Sequence, residues 1–460
     1  MTSRNSIQNV ITQGDVISPL HCSKQVDTFG EESLKEHKYT YKYRGQVEIP
    51  PLSMVDDILS VSECGIKTSM SHAFITFKSD SKKLQFGPSK CKKLHIGKYC
   101  KEYKCNTLKV DKWKEVSITN EETGVTEVED FCEEKEEMED KKEEKYLGDI
   151  ISSDGKNIKN VKARVAKGKG VVERIMTMVE NIPFGKFYFE VAVILRNSLL
   201  ISSLLSNSEA WYNVTQSELN LLESVDLILL RKILNAPRTT PKELLYLELG
   251  CTPLRDIIRK RRISFLKYIL RQDPQSMMYK FLETQLKNRK PKDWVSQVLD
   301  DIKELDLNIS LEDIKTMKKG KFKVILNRAT QYKSLQELNK RKINHSKGKN
   351  LNYGYLDMQK YLKPSHIKIQ KEDAITIFKL RTRMTNVKAN FRGNYENLEC
   401  KLCDDHEDET QQHILTCKKN WSENAPEYEE IFGKNVKYQI EIAKLFNKNI
   451  KIRDEIMQMK

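Results

Sequence analysis

The spacing of four metal-binding residues near the carboxyl end is the feature that most constrains the fold. Cys400 and Cys403 are separated by two residues, nine residues then precede His413, and Cys417 follows after three more. Three thiolates and an imidazole can close a tetrahedral zinc site. We therefore predict structural Zn²⁺ at Cys400, Cys403, His413 and Cys417. His406 is an alternative ligand, although His413 is better placed because side chains four positions apart share a helix face.

The composition of the chain indicates which class of partner it binds and in which compartment it lies. The 460-residue chain has a formal net charge of +15, which favours nucleic acid first and an anionic membrane second. The amino end lacks the apolar core of a signal peptide. The most apolar segment, 189–205, contains Arg196 and Asn197, so it predicts a buried helix and no membrane span. We expect reduced cysteines and a nuclear or cytoplasmic protein that is not secreted.

A pair of adjacent acids, Asp56 and Asp57, lies between apolar residues on both sides. Met54-Val55 before the pair and Ile58-Leu59 after it predict two short strands that meet at a turn, with both carboxylates at the tip. Adjacent carboxylates repel each other, so a divalent cation between them stabilises such a pair. A solvated Asp-Asp turn is the alternative, because such dipeptides are common in turns.

Four short blocks follow one another in a specific order. In chain order they are Gln13-Gly14 with Ser18-Pro19, then Met54-Val55-Asp56-Asp57, then the stretch around Lys90, and then Tyr146-Leu147-Gly148. This order resembles motifs B, C, D and E of the reverse transcriptases of LINE-type (non-LTR) retrotransposons. In that family motif C is usually Tyr-Ala-Asp-Asp or Phe-Ala-Asp-Asp. The block in this chain keeps both acids.

The resemblance implies a role for each block. Asp56 and Asp57 would bind catalytic Mg²⁺, and Lys90 would approach the pyrophosphate leaving group. The remaining residues would shape the nucleotide and template pocket (Gln13, Gly14, Ser18 and Pro19) and the primer grip (Tyr146, Leu147 and Gly148). A surface lysine on a turn is the alternative for Lys90, and an ordinary strand with a glycine bulge is the alternative for Gly148.

A basic helix is predicted after residue 156, because apolar residues recur at helical spacing among the charges. Its basic residues are Lys159, Lys162, Arg164, Lys167 and Lys169. The resemblance implies a thumb whose first helix follows the template–primer backbone, and basic residues there would bind phosphates without sequence preference. A solubilising helix face is the alternative.

The expected fold class is α+β. It comprises a partial polymerase palm (antiparallel sheet plus helices) at 1–155, a helical thumb at 156–271, a helical basic linker at 272–395, a CCHC zinc knuckle at 396–425 and a C-terminal tail at 426–460. The acidic run Glu127–Glu144 is expected to be a solvated loop or a frayed helix.

The resemblance implies an RNA-directed DNA polymerase whose partners are an RNA template and a DNA primer. The fingers and the aspartate of motif A would precede Gln13, where only about a dozen residues lie. We therefore expect a truncated copy with little or no polymerase activity by itself, because two Mg²⁺ ions need carboxylates from separate strands. A non-catalytic nucleic-acid-binding remnant and a domesticated host protein are the alternatives.

Overall fold

The computed structural model describes residues 30–35, 40–54, 57–62, 65–81, 90–96, 108–119, 126–181, 187–211, 213–363, 369–403, 405–417 and 427–458. It is a mixed α+β protein with small sheets and many helices, which confirms the predicted class. The chain divides into two compact units. The first comprises residues 1–160 and 271–290, and the second comprises residues 161–270 and 291–460.

The described strands of the first unit pair two at a time. They are β1 (Tyr41–Tyr43), β2 (Val47–Ile49), β3 (Leu52–Met54), β4 (Asp57–Leu59), β5 (Lys92–Leu94), β6 (Lys109–Thr119), β7 (Thr126–Glu137), β8 (Glu139–Lys141), β9 (Glu143–Tyr146) and β10 (Asp149–Ser152). β5 pairs with β8 in parallel, and the other pairs are antiparallel neighbours in the chain. Helix α1 (Gly65–Ser81) follows β4. Neighbouring antiparallel strands need only short turns, so local sequence directs most of this pairing.

The acidic run Glu127–Glu144 is neither a loop nor a helix, and that prediction was wrong. Most of the run is strand, because β7 pairs with β6 from Lys109 opposite Glu137 to Thr119 opposite Thr126. Strand formation depends on the partner strand as much as on the residue types in the run itself. The charge composition of the run alone therefore did not predict a strand.

The rest of the chain is mainly helical. Its helices are α2 (Ile158–Glu180), α3 (Tyr188–Leu195), α4 (Ile201–Leu204), α5 (Gln216–Leu234), α6 (Lys242–Leu249), α7 (Leu254–Leu270), α8 (Met277–Lys287), α9 (Trp294–Glu304), α10 (Leu311–Thr316), α11 (Lys319–Lys342), α12 (Lys371–Arg381), α13 (Gln411–Thr416) and α14 (Val436–Gln458). Helix α8 belongs to the first unit, where Phe281 stacks on Tyr43 with ring centroids 4.0 Å apart. None of the helices in the described ranges is long and apolar enough to cross a membrane.

One apolar core runs through the second unit. Ile175 of α2, Leu229 of α5, Phe378 of α12 and Ile442 of α14 are all fully buried in it. Removing apolar surface from water is the main stabilising contribution in such a core, at about 25 cal/mol per Å². Helices from the segments predicted as thumb, linker and tail therefore fold around a common centre.

Local sequence signals define the ends of α5. The Thr215 hydroxyl accepts a hydrogen bond from the Glu218 amide, and the Glu218 carboxylate accepts one from the Thr215 amide at 2.8 Å. This reciprocal cap satisfies amides that have no partner within the helix. At the other end Asn235 adopts a left-handed conformation with φ of 45°, which stops the helix.

A buried ion pair joins α5 to the π-helical turn Arg196–Leu200, which lies between α3 and α4. The Arg196 guanidinium donates to both carboxylate oxygens of Asp226, at 2.7 and 2.6 Å, and the Tyr246 hydroxyl of α6 donates to Asp226 at 3.0 Å. Burial disfavours the charged form of Arg196, but the neighbouring Asp226 carboxylate outweighs burial and raises the pKa of Arg196. Each charge therefore requires the other in this interior.

A second buried acid, Glu248 at the end of α6, joins segments that are distant in the chain. Its carboxylate accepts hydrogen bonds from the Tyr353 hydroxyl at 2.6 Å, the Tyr361 hydroxyl at 2.7 Å and Arg381 Nε at 3.1 Å. Burial, and then the charge of Glu248, raise the pKa of both tyrosines well above the usual value. Both hydroxyls therefore remain donors at any moderate pH.

Gly250 permits close packing beside Glu248. Its φ is +64°, and a Cβ at this position would lie 2.2 Å from the Met358 backbone nitrogen. Only glycine meets both conditions at low cost, because it has no Cβ and tolerates positive φ. The turn after α6 and the segment around Met358 therefore depend on this residue.

We expect Asp226→Ala to lower the free energy of unfolding by about 3–5 kcal/mol, because Arg196 would remain buried without its counter-charge. Urea unfolding followed by circular dichroism measures the change. Glu223→Ala is a matched control on the same helix, since Glu223 pairs with the partly exposed Lys242. The free energy of unfolding of Glu223→Ala should fall by less than about 1 kcal/mol. Equal losses in the two variants would contradict the prediction.

Candidate functional site

The first two cysteines of the predicted zinc site lie on a short hairpin. Glu399 and Asp408 form an isolated antiparallel bridge, and the Cys400 amide donates to the Glu407 carbonyl at 2.8 Å. At the tip, the Leu402 amide points at Cys400 Sγ, 3.3 Å away. An amide donor at this position favours a thiolate over a thiol. The hairpin thus prepares the sulfur for metal binding.

The other two ligands come from α13 and its end. The Thr410 hydroxyl accepts a hydrogen bond from the His413 amide at 3.0 Å, which caps the first turn of the helix. His413 then lies in that turn and Cys417 follows the last helical residue. The spacing of four positions puts both side chains on one face.

The structure brings all four predicted ligands together. The ligand atoms of Cys400, Cys403, His413 and Cys417 lie within 4.8 Å of one another, and Cys403 Sγ is 3.4 Å from His413 Nε2. Zinc takes sulfur at about 2.3 Å and nitrogen at about 2.0 Å, so one tetrahedral ion fits such a group. Within the described residues this is the one group of three or more such side chains that could hold a metal ion.

His406 is not part of this group. Its side chain is 80 % exposed, and its Nδ1 lies 3.1 Å from a carboxylate oxygen of Glu399. The backbone at His406 has a φ of 55°, as expected at a tight turn. The preference for His413 over His406 is therefore confirmed.

The metal group is embedded in the core of the second unit. Cys400, His413 and Cys417 are buried, and Cys403 is partly buried. Burial raises the pKa of the Cys400 thiol and outweighs the Leu402 amide, which acts in the opposite direction. A metal ion binds the thiolate, so it would displace the proton of this thiol, and metal affinity would then contribute to folding.

Helix α14 supports the metal group from the region predicted as a tail. The Asn449 side-chain amide donates to the Ile414 carbonyl at 2.7 Å, and Arg453 donates to the Glu409 carboxylate at 2.9 Å. Arg453 also donates to the Asn386 carbonyl at 2.6 Å. Sequence reasoning missed this helix, although the apolar period through Ile440, Ala443 and Phe446 would have indicated it.

Glu407 is a further functional residue that the sequence did not identify. Its carboxylate accepts a hydrogen bond from His413 Nδ1 at 2.6 Å. With the proton held on Nδ1, the lone pair of Nε2 is available on the side of Cys403. Carboxylates that orient a metal-bound histidine in this way raise its basicity and fix its ring.

We expect Glu407→Ala to weaken zinc binding by about 10- to 100-fold, because His413 would lose the group that sets its tautomer and orientation. Competition with a chromophoric chelator on the purified chain measures the affinity. Glu396→Ala is the control, since Glu396 is exposed on the same segment. Unchanged affinity in Glu407→Ala would rule out the orienting role.

Asp57 of the predicted acid pair lies on a strand that pairs with its neighbour in the chain. β3 and β4 pair with Met54 opposite Asp57, which leaves residues 55 and 56 as the connection. Asp57 is exposed at the start of β4. Asp56 lies outside the described residues. The antiparallel pairing of β3 with β4 therefore agrees with the two short strands predicted here, and the metal-binding role stays a prediction.

The predicted primer grip is a second tight hairpin. β9 and β10 pair with Tyr146 opposite Asp149, and the two turn residues have positive φ, 47° at Leu147 and 88° at Gly148. Such a turn matches the twist of the strands it joins. Burial, and then the charge of Asp57, raise the pKa of Tyr146.

The other residues to which the resemblance gives a role are Lys90 and those of the predicted nucleotide and template pocket. Lys90 is exposed just before β5. The residues predicted for the nucleotide and template pocket, Gln13, Gly14, Ser18 and Pro19, lie outside the described residues.

Four of the five basic residues predicted on α2 are exposed. Lys162, Lys167 and Lys169 extend into solvent, and Lys159 pairs with Glu143 at 2.5 Å. The structure contradicts the prediction for the fifth residue, Arg164.

The side chain of Arg164 is buried. Its guanidinium lies over the Trp211 ring, 5.1 Å from the centroid, and donates to the hydroxyl of Ser206. Because the side chain is used inside the protein, it is not positioned for a phosphate backbone. Sequence spacing could not show this, since the contact depends on a loop about forty positions away.

Comparison with known proteins leaves the family open. No family model matches this chain, and no curated protein or solved structure matches it. The assignment of function therefore rests on the residues and contacts described above.

Proposed function

We propose that this chain is a nucleic-acid-binding protein of the reverse-transcriptase type, similar to the RNA-directed DNA polymerases of non-LTR retrotransposons. The observation that carries the proposal is the pair of antiparallel hairpins at the positions that the resemblance gives to motifs C and E, β3–β4 with Asp57 exposed at the start of β4 and β9–β10 with Tyr146 opposite Asp149. The resemblance implies that the acid pair and the primer-gripping hairpin act on the same primer end.

Asp56 and Asp57 would hold Mg²⁺, whose role in such enzymes is to neutralise nucleotide phosphates and activate the primer hydroxyl. Carboxylate oxygens are suitable ligands for this ion. However, two neighbouring carboxylates on one hairpin provide only part of a site for two ions. In the described part of the chain, the one larger group of metal-binding side chains is Cys400, Cys403, His413 and Cys417. A site for two ions would need a further carboxylate from a separate strand.

The chain's own residues would bind the template and the primer. The exposed Lys162, Lys167 and Lys169 on α2 offer three cations to the phosphates of an RNA–DNA duplex. Lys90 adds an exposed cation in the first unit. Zinc at the Cys₃His group would stabilise the second unit without taking part in chemistry, because its four ligands fill a tetrahedral shell.

A second candidate function is nucleic-acid binding without polymerisation. It is favoured by the Cys₃His group, whose four side chains fill a tetrahedral shell and leave no open position for a substrate. The RNA and DNA partners are the same in both candidates. An assay of polymerase activity distinguishes the two candidate functions.

We expect the purified chain to bind a fluorescent oligo(dT) primer on poly(rA) but to incorporate little or no dTTP with Mg²⁺, because one hairpin cannot clamp two ions. Fluorescence anisotropy measures the binding and primer extension measures the activity. Robust incorporation that Asp57→Asn abolishes would contradict this expectation and establish a working polymerase. Absence of binding would overturn the proposed function itself.

We expect the triple variant Lys162→Ala, Lys167→Ala, Lys169→Ala to weaken binding to an RNA–DNA duplex. The slope of log K against log salt should fall by about 2 to 3, because each phosphate contact releases roughly one counterion. The control triple replaces the exposed Lys437, Lys448 and Lys451 of α14 with alanine. An equal effect of both triples would show that net charge, and not α2, accounts for binding.

A further inference from the structure

Three segments that contain no acidic residue meet in the second unit. They are the turn 235–241 between α5 and α6, residues 343–350 after α11, and residues 379–394 from the last turn of α12 onwards. The Thr239 hydroxyl lies 3.9 Å from the sulfur of Met384, and Lys347 Nζ lies 3.5 Å from the same atom. One residue from each segment therefore meets at this sulfur.

Lys347 is a partly buried cation without a counter-charge. Its ammonium contacts the Met384 thioether, which is a weak hydrogen-bond acceptor, and lies 6.0 Å from the centroid of the Phe391 ring. Within the described residues it forms no ion pair. Burial lowers the pKa of Lys347, and no carboxylate of these residues acts against burial. Lysines in such surroundings usually have an anionic partner.

Arg231, in the last turn of α5, is a second cation of this kind. Its Nε is buried, and in the part of the chain that the structure describes this atom has no hydrogen-bond partner. Burial lowers the pKa of Arg231, Tyr246 acts in the opposite direction, and the charge of Arg238 lowers the pKa further. The buried hydroxyl of Thr240 also lacks a partner among the described residues. Because buried donors in native proteins nearly always have an acceptor, this guanidinium is suited to an anion.

The turn after α5 connects the arginines to the contact at the sulfur atom. It folds back on the end of α5, since the Ala236 amide donates to the Arg231 carbonyl at 2.9 Å. Arg238 and Thr239 are exposed in this turn, and Arg238 forms no ion pair within the described ranges. The residue that follows Arg238 in the chain is thus the one whose hydroxyl shares the sulfur contact with Lys347.

The acids of the two helices that flank this turn have other partners. The pairs are Glu218 with Thr215, Glu223 with Lys242, Asp226 with Arg196, Glu243 with His345 and Glu248 with Arg381. In the described part of the chain, no acid pairs with Arg231, Arg238 or Lys347. The positive charge of these three residues is therefore available to a ligand.

We propose that these three segments bind a phosphate group, with Arg231, Arg238 and Lys347 as its cations and the Thr239 hydroxyl as a further donor. Guanidinium and ammonium groups bind phosphate oxygens strongly, because both partners of the hydrogen bond are charged. The phosphate would supply the acceptors and the counter-charge that the described residues do not. The inference goes beyond the proposed function, because a phosphate group occurs in a nucleic-acid strand and also as a free ion.

Inorganic phosphate is the first probe, and thermal unfolding of the full chain at constant ionic strength is the measurement. A ligand that binds the folded state raises the melting temperature, and we expect a saturable rise for the wild type. Arg231→Met and Lys347→Met keep an apolar stem but lose the charge. Each should weaken phosphate binding by about 10- to 100-fold, because a hydrogen bond between charged groups is lost. Arg328→Met, at an exposed arginine of α11, is the matched control and should bind phosphate like the wild type.

The same measurement without phosphate separates binding from a structural role. Arg231→Met should melt at a higher temperature than the wild type, because a partly buried charge without a partner is removed. A lower melting temperature together with unchanged phosphate binding would assign Arg231 to the fold and overturn the inference. The absence of a saturable rise in the wild type, or an equal rise in all variants, would also overturn it.

A labelled oligo(dT) strand distinguishes the two sources of phosphate. The double variant Arg238→Ala, Lys347→Ala is compared with Arg328→Ala, Lys340→Ala, which removes two exposed cations of α11. If the site holds a backbone phosphate, the salt slope of strand binding should fall by about 0.7 more in the first variant. Equal slopes, with phosphate binding lost only in the first variant, would assign the site to free phosphate. A wild-type chain that binds phosphate but no nucleic acid would overturn the proposed function and leave this site in place.

Discussion

The buried carboxylate of Glu248 is the interaction on which the second unit most depends. It lies at the end of α6 and accepts hydrogen bonds from two tyrosines and from Arg381 of α12. Arg381 also donates to the Ile431 carbonyl at 3.0 Å, so the network extends to the segment before α14. Removal of one partner would leave a buried charge without compensation. Gly250 makes the arrangement possible because it has no side chain, so its backbone can lie against the backbone at Met358.

The metal group extends this organisation to the carboxyl end. Cys400 and Cys417 are buried in the same apolar core as Phe378 and Ile442, and α14 closes over the group through Asn449 and Arg453. Zinc at this position would connect a hairpin and a short helix that have little core of their own. Metal binding at this group would therefore be coupled to folding of the carboxyl-terminal region.

The arginines and the lysines described above lie in different environments. Arg164, Arg196 and Arg381 are buried, where the planar guanidinium satisfies several acceptors at once. The lysines of α2 and of the start of α11 are exposed and have compact charges suited to phosphates. A net charge of +15 thus contains two populations, one used for folding and one available to a polyanion.

The sequence by itself determined the features that depend on near neighbours in the chain. These are the α+β class, the choice of His413 over His406, and the short hairpin ending at Asp57, because ligand spacing and turn chemistry act over a few residues. The tertiary structure alone decided that the acidic run is a strand, that Arg164 is buried, and that Glu407 and α14 support the metal group. Each of these depends on contacts between distant residues, which no local pattern records.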